Sequence, residues 1–138
     1  MDKPHRKLEL TIIGTVKSPY NNRGEAPHQG RNREDLSQII IQPEFEEALE
    51  GLEKHHQLFI LYWFDQAEEP LLKVVPHGRT QKRGIFSTRA PPRPNPIGLT
   101  LVDLVKLEGP ILTVRGLEAL DGSPVLDIKP YLPDLDSV

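Results

Sequence analysis

The sequence predicts a mainly β protein, a small single-domain β-barrel with one covering helix, and three observations support this prediction. A chain of 138 residues is the size of one domain. Six or seven short apolar segments alternate with turn residues, whereas one segment alone has helical spacing. No G-x-G-x-x-G motif follows the first strand, and the sequence lacks the repeated helices that a doubly wound α/β fold requires. A Rossmann-type fold is therefore not expected.

The first half of the chain contains three predicted strands. Leu8 to Ser18 is β-branched and apolar, and the turn-forming sequence SPYNNRGE ends it. Leu36 to Gln42, LSQIIIQ, is a second short strand that runs into a proline. Gln57 to Phe64, QLFILYWF, is almost entirely apolar and aromatic, so we expect a central strand that is buried on both faces.

The single helix is predicted at Pro43 to Lys54, PEFEEALEGLEK. Proline starts it with a suitable φ angle, and acidic residues occupy the first turn, where the helix dipole favours them. Phe45, Leu49 and Leu52 are spaced as one narrow apolar stripe. We therefore expect this helix to cover one side of the barrel.

The second half of the chain contributes the remaining strands. These are predicted at Leu71 to Val75, Gly84 to Thr88, Leu99 to Lys106 and Ile111 to Leu117. The sequence EGP between the last two strands is typical of a tight hairpin connection.

Composition excludes several classes of chemistry. The absence of cysteine excludes disulfides, catalysis by a thiolate and metal sites with cysteine ligands. The five histidines have no spacing typical of a metal site, and the tandem pair His55-His56 resembles no zinc motif. No apolar segment approaches the ~18 residues of a membrane helix, and the amino terminus has no hydrophobic signal core. We expect a cytoplasmic protein with no metal and no membrane association.

Charge is distributed unevenly along the chain, although its formal sum is only −3. Glu34 to Glu69 contains ten acidic residues and one lysine, whereas Lys73 to Arg93 contains six basic residues and no acid. Arg23, Arg31 and Arg33 add further positive charge. A basic surface for an anionic ligand and a solvated loop with divergent charges both agree with this pattern.

The sequence STRAPPRPNPIGLT, Ser87 to Thr100, places four prolines within six positions. A linker, a polyproline ligand for another domain and the rim of a binding site are all consistent with such a segment. Its place between two predicted strands favours a rim, because prolines hold carbonyls and side chains in place at low entropic cost. Asn95 presents an amide between two prolines, and Gly98 permits a close approach.

A second polar segment, LDGSPVLDIKPY, extends from Leu120 to Tyr131. Asp121 and Gly122 indicate a turn, whose free backbone amides and carboxylate could receive a polar ligand. Asp127, Lys129 and Tyr131 alternate, so a strand would place them on one face. An ordinary salt-bridged surface is the more common explanation of such a face.

Taken together, the segments IGTVKSPY, APHQGR, LYWFDQ, GIFSTRAPPRPNPIGL and ALDGSPVLDIKPYLP resemble, in this order, the TsaA-like or TrmO family of S-adenosylmethionine-dependent tRNA methyltransferases. The resemblance extends from about Ile13 to Asp136. It implies a single TsaA-like β-barrel domain over 1–138, with a core at about 8–136, that forms a homodimer. It also implies methylation of the adenine exocyclic nitrogen of threonylcarbamoyladenosine, which lies next to the tRNA anticodon.

The resemblance also assigns roles to residues. It implies contacts with S-adenosylmethionine at Pro27, His28, Gln29, Asp65, Gln66, Arg89, Leu99, Asp121, Gly122, Ser123 and Pro124. Arg93 and Asn95 are candidates for binding the threonylcarbamoyl group, the arginine through a paired fork of hydrogen bonds. Asp127, Lys129 and Tyr131 are candidates for proton handling or substrate orientation.

The sequence departs from the family at three points. His28 stands where many relatives have arginine, and Asp65 stands where others often have histidine. Bacterial members have a further carboxy-terminal domain. If that domain helps to bind tRNA, the resemblance supports S-adenosylmethionine as methyl donor more strongly than it supports tRNA as substrate. Two other hypotheses stay open at this point, namely methylation of a small molecule or another modified nucleotide, and a non-catalytic cofactor- or RNA-binding module.

Overall fold

The computed structural model describes residues 6–21, 34–76 and 78–138, and its main feature is a closed six-stranded barrel. The strands are β1 (Gly14–Lys17), β2 (Leu36–Ile41), β3 (Gln57–Trp63), β4 (Lys73–Val74), β5 (Arg83–Gly84), β6 (Ile97–Glu108), β7 (Ile111–Arg115) and β8 (Pro124–Pro130). The barrel order is β1-β2-β7-β6-β3-β8, with β8 pairing to β1 to close it, and β4 and β5 form a separate two-stranded ribbon. The prediction of a β-barrel is confirmed.

Alternating side chains of the barrel strands form the core. In β3, Leu58, Ile60 and Tyr62 are buried, while the residues between them lie on the outer face. Other core side chains come from neighbouring strands, among them Val16, Ile39, Val102, Leu112, Val114 and Val125. The barrel interior is therefore filled mainly with aliphatic side chains, together with Tyr62 and Thr100, as expected for a small barrel.

The longest strand pairing joins β3 to β6 in an antiparallel register from Gln57↔Asp103 to Trp63↔Ile97. A two-residue turn then connects β6 to β7, since Glu108 pairs with Ile111. Gly109 has φ 57°, and the proline that follows it has a negative φ by its ring, which is the pattern of a type II′ turn. The predicted hairpin at EGP is confirmed.

The predicted helix at Pro43 to Lys54 is helical in the structure, but the prediction of one continuous α-helix is wrong. The structure has two 3₁₀-helices instead, Pro43–Leu49 and Leu52–Lys54. Gly51 separates them with φ 87°, a left-handed conformation that an α-helix cannot contain. The apolar stripe is nevertheless used as expected, because Leu49 is buried and its two predicted partners pack against the core.

Two strand predictions also need correction. In the segment Leu8 to Ser18 only Gly14–Lys17 forms a strand, and Leu8 and Leu10 are exposed. The segment Gly84 to Thr88 contains a 3₁₀ turn, Ile85–Ser87, because its hydroxyl groups bond to nearby carbonyls instead of joining a sheet. One turn of α-helix, Pro133–Asp136, follows β8.

Candidate functional site

The residues of interest gather at one end of the barrel, around a cavity of about 170 Å³. The cavity is lined by Phe64, Thr88, Arg89, Arg93, Ile97, Gly98, Leu99 and Glu118. It combines one aromatic ring, two guanidinium groups and one carboxylate, the kind of lining that orients a small polar ligand. Its volume is below the 300–1,000 Å³ typical of ligand pockets, so the described residues could enclose only part of a cofactor-sized molecule.

Gly98 forms the floor where β6 meets the barrel interior. It pairs with Tyr62, and a Cβ atom at this position would lie 2.6 Å from Cζ of Tyr62 and 3.0 Å from Cζ of Phe64. The two rings meet edge to face, with centroids 5.4 Å apart. The predicted close approach at Gly98 is thus made by two aromatic rings of the protein itself.

A chain of three polar side chains leads from the core to the cavity. The hydroxyl of Thr100 donates to Oε1 of Glu118 at 3.2 Å, and the hydroxyl of Tyr62 lies 3.4 Å from Oγ1 of Thr100. Since Thr100 has one hydroxyl proton, Tyr62 is the donor in the second contact. Burial and the charge of Glu118 raise the pKa of the Tyr62 phenol well above its usual value, against the opposing effect of Thr100. Tyr62 therefore stays neutral and supports the orientation of Glu118.

The two arginines enter the cavity from the segment between β5 and β6. Nη1 of Arg93 donates to the carbonyls of Thr88, at 2.8 Å, and Ala90, at 3.2 Å. A paired fork to a substrate carboxylate would therefore have to use Nη2 and Nε of Arg93. The side chain of Arg89 is exposed at the cavity rim.

The proline-rich segment is a wall tied to its surroundings through its carbonyl groups. Phe64 N donates to Pro96 O at 2.7 Å, and Leu71 N donates to Pro92 O at 3.0 Å. Within the segment, Ile97 N bonds to the carbonyl of Asn95, whose own side chain is exposed. These bonds exclude a loose linker or an exposed peptide ligand and agree with the predicted rim.

Two further groups of predicted cofactor residues lie at the same barrel end. Asp65 and Gln66 are exposed in the turn directly after β3, which Phe64 and Ala67 close with a 3.1 Å backbone bond. The second group, Asp121 to Pro124, leads into β8, of which Pro124 is the first residue, and Val125 of β8 pairs with Tyr62. The structure therefore places both groups near the cavity end of β3.

The loop Asp121 to Pro124 does not offer the free amides that we expected. The amides of Asp121, Gly122 and Ser123 donate to carbonyls of the chain at 2.7, 2.8 and 3.1 Å. Asp121 also accepts from the amide of Ser18 through Oδ1, and Gly122 has φ 86°. The loop is thus a fixed turn that can offer carbonyl oxygens and Oδ2 of Asp121 to a ligand. Pro27, His28 and Gln29 lie outside the described residues.

The three candidate catalytic residues Asp127, Lys129 and Tyr131 lie on or just after β8. Nζ of Lys129 is 3.0 Å from Oδ2 of Asp127, and the ring of Tyr131 packs edge-on against Phe59 at 5.8 Å. Asp127 pairs with Leu61, which pairs in turn with Leu99. Two strand spacings of ~4.8 Å therefore separate Asp127 from Leu99 at the cavity.

A larger hollow of about 480 Å³ lies at the opposite barrel end, beside the 3₁₀-helices. Its polar side chains are Glu46, Glu47, Glu50 and Glu53. A lining whose charged side chains are all carboxylates suits neither a carboxylate nor a phosphate ligand, so we assign the functional site to the smaller cavity. Among the described residues, no three histidine, aspartate or glutamate side chains could hold a metal ion together, and no helix could span a bilayer.

Sequence reasoning missed Glu118. No motif surrounds it, and its contact with Thr100 exists only because β6 and β7 form a hairpin. One signal was available: strand alternation places Thr100 on the inner face with Gly98 and Val102, and a buried hydroxyl requires a polar partner.

The fold and site together define a β-barrel domain with a polar cavity at one end, and comparison with known proteins identifies its family. Residues 15–137 match the model of the tRNA-methyltransferase O N-terminal domain. The chain belongs to this family.

Relatives and solved structures agree with this assignment. The chain is 53% identical to a probable S-adenosyl-L-methionine-binding protein of Methanothermobacter thermautotrophicus, with 96% of each protein covered. It is 35% identical to the tRNA (adenine(37)-N6)-methyltransferase of Escherichia coli, over 95% of this chain and 60% of that protein. A crystal structure of TrmO superposes with a TM-score of 0.82 at 38% identity, over 96% of this chain and 61% of that one. The chain thus spans about three fifths of those two proteins.

The contact at Gly98 generates a stability prediction. Gly98→Ala should lower stability by about 1–3 kcal/mol, because the added methyl group must displace two packed rings. For a domain of this size, the expected fall in Tm is roughly 3–10 °C, measurable by thermal unfolding monitored by circular dichroism.

Gly84→Ala is the matched control. Gly84 has φ −59° and no atom within 4 Å of an added Cβ, so its Tm should stay the same or rise slightly. Equal Tm values for the two variants would show that the rings do not constrain Gly98.

Proposed function

We propose that this protein methylates the exocyclic nitrogen of threonylcarbamoyladenosine in tRNA, with S-adenosylmethionine as methyl donor. The observation that carries the proposal is the cavity that unites Arg89, Arg93, Leu99 and Glu118 in a chain of this family. The names of the relatives support both the donor and the tRNA substrate. A tRNA substrate would also agree with the expected cytoplasmic location.

The cavity residues fit the methyl donor chemically. Leu99 is 41% exposed and, with Phe64, offers an apolar surface for the uncharged parts of the molecule. Arg89 suits a carboxylate, and the carboxylate of Glu118 suits a cationic centre. The exposed turns at Asp65-Gln66 and Asp121-Gly122 would supply polar contacts from two further sides. His28, with its neighbours Pro27 and Gln29, is proposed for the same role from the resemblance alone.

S-adenosylmethionine supplies a sulfonium-bound methyl group with a neutral thioether as leaving group. In the transfer a bond forms between the methyl carbon and the adenine nitrogen, the bond from carbon to sulfur breaks with its electron pair going to sulfur, and the nitrogen loses a proton. The protein therefore has to align the two reactants and receive that proton. Arg93 and Asn95 are proposed to bind the threonylcarbamoyl group, the arginine through Nη2 and Nε.

Two carboxylates are candidates for the proton acceptor, one on β8 and one in the lining of the cavity. Asp127, with Lys129 and Tyr131, follows from the resemblance of the DIKPY segment, but its carboxylate already contacts an ammonium group and the amide of Ile128. Glu118 lines the cavity itself, and Thr100 fixes one of its oxygens. We favour Glu118 because a base must lie within hydrogen-bond reach of the proton it removes.

A homodimer is also proposed on the basis of family resemblance. The outer face of the β3–β6 pair supports it, because Phe59, Leu61 and Trp63 are only half-buried there and Leu99 is exposed. Sedimentation equilibrium at micromolar concentration should give twice the chain mass of 15.6 kDa. A monomer mass would contradict this part of the proposal.

The proposed reaction predicts the outcome of a labelling experiment. The protein is incubated with methyl-labelled S-adenosylmethionine and with tRNA that either carries or lacks the threonylcarbamoyl group. Label should enter the modified tRNA alone, because Arg93 and Asn95 would have no ligand in the other sample.

The remaining outcomes separate the rival functions. Equal labelling of both tRNA samples would support methyltransferase activity on tRNA but would refute recognition of the threonylcarbamoyl group. Transfer to small acceptors but not to tRNA would favour a small-molecule methyltransferase. Binding of S-adenosylmethionine without any transfer would favour a non-catalytic binding module, a function that the name of the Methanothermobacter relative also describes.

Glu118→Gln predicts a loss of the chemical step together with weaker binding of the methyl donor. The amide keeps an oxygen acceptor for Thr100 but cannot accept the proton, so kcat should fall by about 10²-fold or more, while the Kd for S-adenosylmethionine should rise by a smaller factor because the neutral amide no longer attracts the cationic donor. Single-turnover transfer and calorimetric titration measure these quantities. Asp127→Asn tests the other candidate, and Glu53→Gln, an exposed carboxylate at the far barrel end, is the control. If Asp127→Asn lost activity while Glu118→Gln kept it, our preferred assignment would be wrong.

A further inference from the structure

A second surface lies beside the cavity, on the β4–β5 ribbon and the 3₁₀ turn that follows it. From Pro70 to Val102 the chain has six basic residues and no acidic one. Five of these are exposed on or beside the ribbon, namely Lys73, Arg79, Lys82, Arg83 and Arg89. Lys73 pairs with Gly84, and Val74 with Arg83, so Lys73 and Arg83 belong to adjacent pairs of the ribbon and their side chains point to opposite faces of it.

Exposed apolar groups accompany these charges. Phe86 and Leu72 are each 80% exposed, and Val75 is 50% exposed. Phe86 is held on a fixed support, since its neighbour Ile85 is buried and donates its amide to Leu72 O at 2.9 Å. Hydroxyl bonds from Ser87 to Gly84 and from Thr88 to Ile85 close the turn. A large aromatic ring is thus presented to solvent on a rigid turn, two residues before Thr88, which lines the cavity.

The opposite barrel end carries the opposite charge. Five exposed glutamates lie in or beside the two 3₁₀-helices, at Glu44, Glu46, Glu47, Glu50 and Glu53. The cavity and this acidic end are near the two ends of β6, which at ~3.3 Å per residue places Leu99 and Glu108 up to about 30 Å apart. A polyanion is therefore attracted to the ribbon and repelled from the glutamate-rich end, while exposed Asp65 and Asp121 at the cavity end lie outside the ribbon.

We propose that the β4–β5 ribbon is the docking surface for the single-stranded loop that contains the target nucleotide, with Phe86 stacking on a base next to it. Basic side chains neutralise phosphates without reading sequence, while an exposed aromatic ring offers a platform for any base. RNA loops are recognised in this way because their unstacked bases are accessible. Arg83 contacts the RNA backbone, and the cavity beyond Arg89 receives the modified base. This inference rests on the proposed tRNA substrate and identifies the part of the chain that binds it.

The experiment measures binding instead of transfer. Fluorescence anisotropy gives the Kd of the full chain for an anticodon stem-loop RNA that carries threonylcarbamoyladenosine, at several salt concentrations. Phe86→Ala should weaken binding by roughly 5- to 150-fold, the range expected for one stacked base, without changing the salt dependence. Arg83→Glu should weaken binding about fivefold or more at 0.1 M salt and should lower the slope of log K against log salt by about 0.7–0.9.

Each variant has a matched control at another place on the surface. Leu135→Ala removes a similarly exposed apolar side chain, 76% exposed, from the end of the chain, and Lys54→Glu reverses a charge beside the acidic segments. Neither control should change the Kd by more than about twofold, in line with surface substitutions elsewhere. Sedimentation of Phe86→Ala should give the same mass as the unmodified chain.

Several results would overturn the inference. These are unchanged RNA binding in Phe86→Ala and Arg83→Glu, equal losses in the controls, or no RNA binding by the unmodified chain. A lower mass for Phe86→Ala would show that the ring contacts a second copy of this chain instead. Failure of the proposed function can be told apart from failure of this inference. If the unmodified chain binds RNA through the ribbon but transfers no methyl group, the proposed reaction is refuted and the proposed RNA-binding surface stands.

Discussion

The antiparallel pairing of β3 with β6 is the constraint on which the rest of this structure depends. Seven consecutive residue pairs fix the register, and the last of them, Trp63↔Ile97, leads directly into the bond from Phe64 N to Pro96 O. That bond attaches the proline-rich segment to the end of β3. Because Gly98 lies in the same pairing against Tyr62, the floor and the wall of the cavity are set by one ladder of hydrogen bonds.

Sequence reasoning found the strands because their signals are local. The apolar segment at β3 and the turn at Glu108-Gly109-Pro110 each contain their own evidence in a few residues. The helix at Pro43 to Lys54 was wrong because apolar spacing shows which side chains are buried but does not distinguish 3.6 from 3.0 residues per turn. Only the left-handed conformation of Gly51 shows where the helical segment is interrupted.

The site was predictable in part for a similar reason. The rigidity of the proline-rich segment can be inferred from composition, whereas the partners of its carbonyl groups depend on tertiary contacts. Likewise, Asp127 and Lys129 were correctly expected on one face, since they form an ion pair there. The position of Glu118 beside Thr100 requires the β6–β7 hairpin, and no pattern along the chain predicts that contact.

The barrel end around Gly98 is the proposed binding site for S-adenosylmethionine. A crystal structure of the protein soaked with this compound tests it most directly. Density for the ligand should appear in contact with Arg89, Leu99 and Glu118, beside the turn at Asp121. Ligand density at the acidic hollow beside Glu46, or anywhere away from the cavity, would contradict it.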